Sequence, residues 1–431
     1  MKRKSYEEIR EKIRQGRALV MTAQELCDAV RAGEDVGLDD VDVVTTGTKG
    51  LMSGSTAILH FRVAEPKAFK RAKRVYLNGI PCAVGPCPNE TLGLIDTIVF
   101  ATTHSVDRPK TYGGGHLFRD LVERKDVNVR VVTSQGNEFE TTTNLDEMAF
   151  ARFFSTRTMF RNYLAFVNDS SEPVESIFSS QPLLPNVAHA TFCGCGEINP
   201  FQKDPRMKTI GVGTRLLVNG AVGMVVSRGT RSTPGRPNIM TIADMKQMVP
   251  NYLGGFHTPE GPEVIITMAV AIPVLDEALL ADLKKTDDEI PLTVVDVNGR
   301  LPVAEVTYGD VWRDNFSVLL NPQACASCEL RGNCPVVKNC PTRSFSFNDS
   351  GKPSWNKSLC VNCGSCVTFC PKGAFRCNLG SVKVRGRSVP VFCRQSDRAC
   401  ANELTERLKR MVLDGKFPVV PPLEPLWEGG G

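Results

Sequence analysis

The sequence has no long apolar run and no apolar segment behind its basic N-terminus. A membrane-spanning helix needs about 20 consecutive apolar residues, and no stretch of this chain reaches that length. The N-terminal "MKRKSYEEIREKIRQG" begins with basic residues but lacks the apolar core of a secretory signal. We therefore expect a cytoplasmic protein without a membrane partner.

A large excess of one charge is also missing. The chain carries 52 Lys and Arg against 47 Asp and Glu, which gives a net charge of +5 over 431 residues. Proteins dedicated to nucleic acids usually present a clustered basic face, so we expect no nucleic-acid partner. At about 150 residues per domain, the length predicts two or three domains.

Cysteine, in contrast, is abundant, with 16 residues. In a small secreted chain this number would predict a disulfide framework. This chain is long and shows no export signal, and eight of its cysteines have the spacing of metal ligands. Metal binding in a reducing compartment is therefore the better interpretation.

The C-terminal cysteines form two runs. "CVNCGSCVTFCP", which starts at Cys360, has the Cys-x2-Cys-x2-Cys-x3-Cys-Pro spacing of bacterial ferredoxins. A run with longer gaps precedes it, and in two-cluster ferredoxins the fourth cysteine of each run ligates the other cluster. A pair of zinc sites is the alternative, but zinc sites rarely have this spacing. The runs therefore predict two 4Fe–4S clusters, one held by Cys325, Cys328, Cys334 and Cys370, and the other by Cys340, Cys360, Cys363 and Cys366.

Short apolar strands and amphipathic helices alternate over residues 1–320. This pattern predicts an α/β or α+β domain, followed by a small α+β ferredoxin-like domain at residues 321–380. We expect residues 381–431 to form a basic helix and tail that pack back on the first domain.

Local signals predict individual elements. Helices are predicted over residues 5–16 and 22–33, and another is predicted to begin at Asn144. A hairpin is predicted to turn near residues 135–137. Cys393 and Cys400 are seven residues apart, which is compatible with one helical face.

Several separated segments resemble one known family. "VDVVTTGTKGLMSGSTAIL", "YGGGHLFRDLV", "KTIGVGTRLLVNGA" and "CRQSDR" are similar to the homocysteine-biosynthesis family. Its characterised members are aspartate-semialdehyde sulfurtransferases, which put sulfide sulfur onto an aldehyde and reduce it to a thiol with electrons from a ferredoxin-type partner. With its fused cysteine runs and "GPCPNE", the chain most resembles the branch called methanogenesis marker sixteen, a metalloprotein of methanogens.

The chain departs from the family at the sulfur carrier. The resemblance implies a cysteine after "TTGTxGxM", but that position is Ser53. It also implies a cysteine in the segment "VVTSQGNEFETTT", which has none. The carrier cysteine of the family therefore does not transfer by position.

Four other thiols are candidates for this chemistry. Cys195 in "ATFCGCGEINP" is the leading candidate carrier, because flanking glycines allow close approach and leave amides for an oxyanion. Glu197 is the candidate acid or base, Cys193 the candidate resolving thiol, and Cys87 the second candidate carrier. Two alternatives stay open, which are simple burial and a third metal site formed by Cys82, Cys87, Cys193 and Cys195.

Candidate substrate-binding residues lie in two glycine-containing segments. Gly113, Gly114, Gly115 and His116 precede a predicted helix, whose free amides can hold an anion. Arg215 in "GVGTR" offers a guanidinium fork for the same purpose. The arginines of "RGTRSTPGRP" are interpreted as solvated loop charge.

The resemblance implies an iron–sulfur sulfurtransferase and reductase. It would convert a small anionic aldehyde and sulfide, or a persulfide, to a thiol, with homocysteine from aspartate semialdehyde as the product that has family precedent. The expected partners are the aldehyde, the sulfur donor, an external low-potential electron donor and a possible second copy of the chain. Two alternatives are the formation of coenzyme M from sulfoacetaldehyde and a non-catalytic electron-transfer subunit.

Overall fold

A computed structural model describes residues 3–85, 90–313, 316–330 and 333–427. None of the helices in these ranges is long and apolar enough to cross a membrane. The helices are α1 (Tyr6–Arg14), α2 (Ala23–Arg31), α3 (Gly114–Val122), α4 (Pro200–Lys203), α5 (Glu277–Lys284), α6 (Pro322–Ala326), α7 (Pro335–Asn339), α8 (Ser365–Phe369) and α9 (Arg398–Leu413).

Strands account for most of the regular structure. They are β1 (Val20–Thr22), β2 (Val43–Leu51), β3 (Ser55–Arg62), β4 (Ala72–Leu77), β5 (Ile80–Val84), β6 (Leu94–Phe100), β7 (Val127–Thr133), β8 (Glu138–Thr143), β9 (Phe150–Thr158), β10 (Leu164–Val167), β11 (Ala190–Phe192), β12 (Arg215–Val218), β13 (Ala221–Arg228), β14 (Ile239–Asp244), β15 (Leu253–Thr258), β16 (Gly261–Pro273), β17 (Pro291–Asp296), β18 (Pro302–Thr307), β19 (Leu319–Leu320), β20 (Phe345–Phe347), β21 (Pro353–Trp355), β22 (Phe375–Arg376), β23 (Ser381–Val384) and β24 (Arg387–Arg394).

The larger sheet has the order β1-β2-β16-β12-β13-β14-β9-β3-β6-β5-β4-β7-β8, with β15 also paired to β16. Its strands β2 and β16 are buried at every residue. Side chains alternate between the two faces of a strand. On one face, Val43 and Ala271 pack with Leu404 and Leu408 of α9. On the other face, Val44 and the neighbouring apolar residues pack with α2 and α3, so both faces of the sheet centre are covered.

The second sheet has the order β18-β17-β10-β11-β24-β23. Its last two strands come from residues 381–394, so the chain returns to the front part after the cysteine runs. β11 and β24 lie side by side and parallel, with Thr191 opposite Cys393 and Phe192 opposite Arg394. This pairing brings the loop that follows β11 next to the residues that end β24.

The cysteine runs lie in a small segment between the two parts of the second sheet. Two short ladders, β19 with β22 and β20 with β21, pack with α6, α7 and α8. The shared apolar cluster includes Val318, Val336, Phe345 and Phe375. Gly364 takes φ +83°, a left-handed conformation, just before α8, which suits glycine.

Several local predictions can be compared with these elements. The helices predicted near residues 5–16 and 22–33 are confirmed as α1 and α2, both with capping boxes. The hairpin of β7 and β8 is also confirmed. The helix predicted from Asn144 is wrong, because this residue caps a single turn and Phe150–Thr158 forms β9 between β14 and β3. Cys393 and Cys400 do not share a helix, since the first lies on β24.

A buried ionic network joins α9 to the front part of the chain. The Arg398 guanidinium donates to the carboxylates of Glu197 and Asp287. Arg31 of α2 also pairs with Glu197. The carboxylate of Glu197 accepts a hydrogen bond from the backbone amide of Asp287, and the carboxylate of Asp287 accepts one from the backbone amide of Glu197, both at 2.8 Å. Four separate chain segments therefore meet at these side chains.

We predict that Arg398→Met strongly destabilises the protein. The substitution leaves Glu197 and Asp287 buried without their shared cation, and breaking a buried pair costs about 3–5 kcal/mol. The free energy of unfolding, from anaerobic urea denaturation, measures the loss. Arg385→Met is the control, because Arg385 pairs with Asp169 at the surface and should change stability little. Equal stability of the two variants would contradict the prediction.

Candidate active site

The loop after β11 borders a cavity that is lined by one of the candidate thiols. The cavity has a volume of about 780 Å³. Cys193 lines it, together with Ser53 from the turn between β2 and β3 and Tyr163 from the segment after β9. Ser53 is the position where the family resemblance implies a cysteine, so that position and Cys193 face the same space.

Three guanidinium groups make this cavity cationic. Arg157, Arg231 and Arg300 come from the end of β9, the loop after β13 and the loop after β17, and all three line the cavity. Burial lowers the pKa of Arg157, and the charges of Arg231 and Arg300 lower it further. Its Nε has no hydrogen-bond partner among the described residues. The cavity lining contains no Asp or Glu among those residues, so a small anion fits it.

The C-terminal end of β24 fixes the conformation of the Cys193 loop. The Cys193 thiol donates to Oε1 of Gln395 at 3.2 Å, and the amide of Gly194 donates to Oγ of Ser396 at 2.6 Å. Gly194 has φ +103°, and a Cβ atom there would clash with the Tyr308 hydroxyl. Glycine is therefore required at this turn.

Electrostatic effects on the Cys193 thiol oppose one another. Burial raises its pKa, and the nearby thiols of Cys393 and Cys195 raise it as well. Arg300 acts in the opposite direction, because its charge stabilises the thiolate. Arg300 therefore favours the thiolate form of Cys193, which is the reactive form that burial disfavours.

Cys195 lies on the other side of the loop, away from the cavity. Its sulfur accepts from the Lys49 amide at 3.4 Å and donates to the Lys49 carbonyl at 3.5 Å. It is fully buried, and burial raises its pKa to about 11. Cys193, and not the predicted leading carrier Cys195, lines the cavity, so the geometry favours Cys193 for the carrier role.

Glu197 is held in the ionic network of Arg398 and Arg31 described above. Burial acts to raise its pKa, but the two cations outweigh burial and lower it. The Glu197 carboxylate stays ionised in this network and is not part of the cavity lining. The geometry therefore gives no support to the predicted acid–base role of Glu197.

The proposed third metal site does not assemble in the described part of the chain. The Cys82 sulfur on β5 donates to the Ile80 carbonyl at 3.3 Å, and burial raises its pKa to about 12. Cys87 lies outside the described residues. Within residues 3–85, 90–313, 316–330 and 333–427, no three Cys, His, Asp or Glu side chains are arranged to hold a metal ion. Of the described members of this group, Cys193 and Cys195 lie near each other.

The glycines before α3 serve packing in this structure. The amides of Gly114 and Gly115 donate to the carbonyls of Thr103 and Ala101 at 3.0 Å. The amide of Gly113 donates to Nδ1 of His116 at 3.3 Å. These amides are therefore not free for an anion, and their glycines allow α3 to approach the strands closely. Arg215 is exposed at the start of β12 and does not line the Cys193 cavity, so neither prediction is supported.

One predicted set of cluster ligands converges on a single cavity. The lining of this small cavity includes Cys340, Cys360, Cys363 and Cys366. Burial raises the pKa of Cys366, and the neighbouring Cys360 and Cys340 raise it further. Apolar side chains such as Val318 and Phe345 form the rest of the wall. These four thiols border one apolar-walled cavity, but within the described ranges no three such side chains are arranged to hold a metal ion, so it is the cysteine spacing that favours a cluster here.

Three of the four cysteines of the other predicted set lie in one apolar cluster. Cys325, Cys334 and Cys370 pack against one apolar cluster, and the amide of Ala374 donates to the Cys370 sulfur at 3.4 Å. Cys328 follows in the turn after α6, where its amide donates to the Cys325 carbonyl at 3.2 Å.

The two sites are joined through the end of β24. Cys363 of the cysteine-lined cavity and Cys193 of the arginine cavity belong to one buried apolar cluster, which also contains Cys393. The Arg394 amide donates to the Cys363 carbonyl at 2.9 Å. Sequence reasoning missed the arginine group, because Arg157 and Arg300 carry no motif and Arg231 lies in a loop interpreted as solvated.

We predict that alkylation of Cys193 by iodoacetamide is slow at neutral pH and accelerates as the pH rises. The raised pKa keeps the thiolate fraction small until alkaline pH. Arg300→Met should slow the reaction at any fixed pH, because removing the cation raises the pKa further. Mass spectrometry of the Cys193 peptide measures the rate, and Arg236→Met is the exposed-loop control. Faster labelling of Cys195 than of Cys193 would contradict this account.

Comparison with known proteins connects this geometry to a family. The family model described as "Homocysteine biosynthesis enzyme, sulfur-incorporation" matches residues 18–419. An uncharacterised protein of Methanothermobacter thermautotrophicus is 44% identical over 411 residues, which cover 95% of this chain and 93% of the relative. Two relatives are L-aspartate semialdehyde sulfurtransferases. The one from Methanocaldococcus jannaschii is 31% identical over 68% of this chain and 58% of its own length.

The second of these, from Methanosarcina acetivorans, is 29% identical over 80% of this chain and 66% of its own length. No solved structure gives a significant match. The family model covers nearly all of the described chain, including the arginine cavity and the cysteine runs. The chain therefore belongs to the homocysteine-biosynthesis family of sulfur-incorporating enzymes.

Proposed function

We propose that this protein transfers sulfur to a small anionic aldehyde and reduces the adduct to a thiol in the cavity at Cys193. The observation that carries the proposal is the convergence of one thiol and three guanidinium groups on a single cavity. The cysteine runs support a reductive reaction, because their spacing is that of cluster ligands.

The reaction balances with electrons from outside the substrate. An aldehyde, hydrogen sulfide, two electrons and two protons give a thiol and water. When an external sulfane-sulfur donor such as a polysulfide transfers its sulfur to Cys193 as a persulfide, that sulfur is two electrons more oxidised than sulfide. Four electrons and four protons are then needed, and the products are the thiol, water and the free Cys193 thiol.

Five residues of the cavity lining have a defined role in this proposal. Cys193 carries the sulfur, since its thiol is the cysteine that borders the cavity. Arg157, Arg231 and Arg300 hold the anionic group of the aldehyde through charge-assisted hydrogen bonds. Burial raises the pKa of Tyr163, so its hydroxyl keeps its proton and can donate to the oxygen of the aldehyde.

Electron supply is assigned to the cysteine runs. When bound, two 4Fe–4S clusters would supply single electrons at low potential. Cys340, Cys360, Cys363 and Cys366 would hold one of them, and Cys325, Cys328, Cys334 and Cys370 the other. The buried apolar cluster around Cys363 and Cys193 keeps water out of the space between the two sites.

The cavity charge bears on which aldehyde is used. L-Aspartate semialdehyde, the substrate in the names of two relatives, carries an ammonium group besides its carboxylate and would give homocysteine. Three arginines without an acidic side chain in the described lining leave that ammonium without a partner. Sulfoacetaldehyde, which has a sulfonate and no ammonium, matches the charge better and would give coenzyme M. This observation makes it the second candidate substrate.

We predict that Cys193→Ala abolishes thiol formation, by roughly 10³-fold or more, because a sulfur-carrying nucleophile has no substitute. Purified protein is incubated anaerobically with polysulfide, whose sulfane sulfur is already at the oxidation level of a persulfide, together with a reductant and each aldehyde, and the thiol is detected by mass spectrometry. Cys195→Ala is the matched control and should retain turnover. A fully active Cys193→Ala variant with normal iron content would contradict the proposal and favour a non-catalytic electron-transfer subunit.

We predict that Arg157→Met lowers kcat/KM for the preferred aldehyde by about 10- to 100-fold. One charge-assisted hydrogen bond contributes roughly 1.5–3 kcal/mol. The comparison of aspartate semialdehyde with sulfoacetaldehyde in the wild type identifies the substrate. Arg236→Met should leave both values unchanged. A preference for neutral aldehydes over both anionic ones would contradict the assignment of the arginines.

A further inference from the structure

We infer that Ser53 donates the proton that releases water from the substrate adduct, and that Glu263 is the positioning residue behind it, which restores this proton. These roles rest on the proposed function, because they add a proton donor to the same cavity. They also give a use to the serine that stands where the family resemblance implies a cysteine.

The proposed reaction consumes protons, but the described lining of the cavity contains no Asp, Glu, His or Lys. An arginine does not give up its proton in proteins. Burial raises the pKa of Tyr163, so its hydroxyl keeps its proton and only forms a hydrogen bond. A lining hydroxyl with an acid behind it meets the need, because a hydroxyl both donates and accepts hydrogen bonds.

The pairing of β2 with β16 places Ser53, which lines the cavity, across from a carboxyl group. The antiparallel register of the two strands continues past β2, because the Met52 amide donates to the Val264 carbonyl at 3.1 Å. One residue further along, Ser53 lies opposite Glu263. Directly opposed residues of an antiparallel pair have Cβ atoms about 4.5–5.5 Å apart on one face, so these two side chains are neighbours.

Glu263 lies on the face of β16 that packs towards Cys193. Ile265, two residues along the strand, belongs to the buried apolar cluster that contains Cys193. Phe256, which pairs with Glu263 from β15, belongs to the same cluster. Val264 packs instead in the cluster on the other face of the sheet. Because alternate residues of a strand share a face, Glu263 lies on the cavity side.

The Glu263 carboxyl is suited to hold a proton. Only 7% of the surface of this residue is exposed, and its Oε2 has no hydrogen-bond partner among the described residues. Burial raises the pKa of Glu263 and the exposed Glu260 raises it further, whereas the Ser53 side chain and a backbone amide act in the opposite direction. A carboxyl with a raised pKa is the better acid catalyst near neutral pH.

Three histidines lie near this end of β16. His104 packs over the first residue of the strand. His257 pairs with Pro262, so it lies on the face away from Glu263, and His116 of α3 lies beside it with ring centroids 4.7 Å apart. Burial lowers the pKa of His116 and His257. Those two rings are therefore uncharged at neutral pH and do not hold Glu263 ionised.

The step is a proton transfer and takes no electrons. After sulfur has added to the aldehyde carbon, the adduct carries a hydroxyl group beside the new carbon–sulfur bond. Ser53 gives its proton to that oxygen, the carbon–oxygen bond breaks with its electron pair on oxygen, and water leaves. A sulfur lone pair completes a positively charged carbon–sulfur double bond. Glu263 then returns a proton to Ser53 and recovers one from solvent.

The first experiment measures turnover with polysulfide, a reductant and each of the two candidate aldehydes. We expect Ser53→Ala and Glu263→Gln each to lower kcat by about 100-fold or more, with little change in KM because the arginines still bind the anion. Ser53→Thr and Glu263→Asp should retain part of kcat, since each keeps its functional group. The double variant of Ser53→Ala with Glu263→Gln should be no slower than the slower single variant, because the two residues act as a unit.

The pH profile separates this role from a structural one. The wild-type kcat should fall as the pH rises through the pKa of Glu263, since only the protonated carboxyl restores the Ser53 proton. Glu263→Gln should remove this dependence from the remaining activity. Glu260→Gln is the control, which should keep the plateau kcat and move the fall to lower pH, because the lost charge raises the pKa of Glu263.

Two further measurements do not depend on turnover. Persulfide formation on Cys193 from polysulfide, followed by mass spectrometry, precedes the proton step and should be equal in the wild type and in Glu263→Gln, which also shows that the variant is folded. Infrared spectra at rising pH identify the protonated Glu263 carboxyl by its loss in Glu263→Gln. Its band should persist above the pH at which exposed glutamates ionise, and it should shift in Ser53→Ala.

Three outcomes would overturn the inference. They are a normal kcat in Ser53→Ala or Glu263→Gln, a pH dependence that survives in Glu263→Gln, and a Glu263 band that does not respond to Ser53→Ala. Failure of the proposed function is distinguishable, because then the wild type takes up no sulfur at Cys193 or converts neither aldehyde. The infrared result still decides in that case whether Ser53 and Glu263 form a pair.

Discussion

The parallel pairing of β11 with β24 is the interaction on which the rest of the site depends. It places the residues Gln395 and Ser396 directly against the Cys193 loop, where they hold the thiol and the following amide. Three residues further on, Arg398 neutralises two buried carboxylates. The same strand reaches back to the cysteine-rich segment through the backbone bond of Arg394 to Cys363. β24 and the residues directly after it therefore support the Cys193 cavity, the two buried carboxylates and the cysteine-lined cavity.

The parts of this protein that the sequence predicts are the local ones. Capping boxes mark α1 and α2 because the cap and its partner are three residues apart. Cysteine spacing identifies candidate cluster ligands because these residues, too, are close together in sequence. The turn after Asn144 has an equally good helix-start signal, yet pairing of Phe150–Thr158 with strands on both sides determines its conformation. Tertiary pairing thus overrides a local preference that the sequence shows correctly.

The cavity could not be predicted from local sequence patterns. Its arginines come from the end of β9 and from two loops that are far apart in sequence, and no spacing rule connects them. The choice between Cys193 and Cys195 shows the same limit at shorter range. The left-handed Gly194 turns the chain between them, so one thiol faces the cavity and the other faces Lys49. Glycines in the quoted segment indicate a tight turn, but only the packing of Tyr308 and Trp312 around it determines which way the turn faces.

The contact between Cys193 and Gln395 has a consequence for biosynthesis of the chain. The two residues are separated by roughly 200 positions, and ribosomes add about 5–20 residues per second. The Cys193 loop therefore waits about 10–40 seconds for the strand that fixes it, and the whole cysteine-rich segment emerges during that interval. The Cys193 cavity is completed only after the cysteine-rich segment has been made. An unfinished chain that lacks β24 therefore cannot present the completed Cys193 cavity.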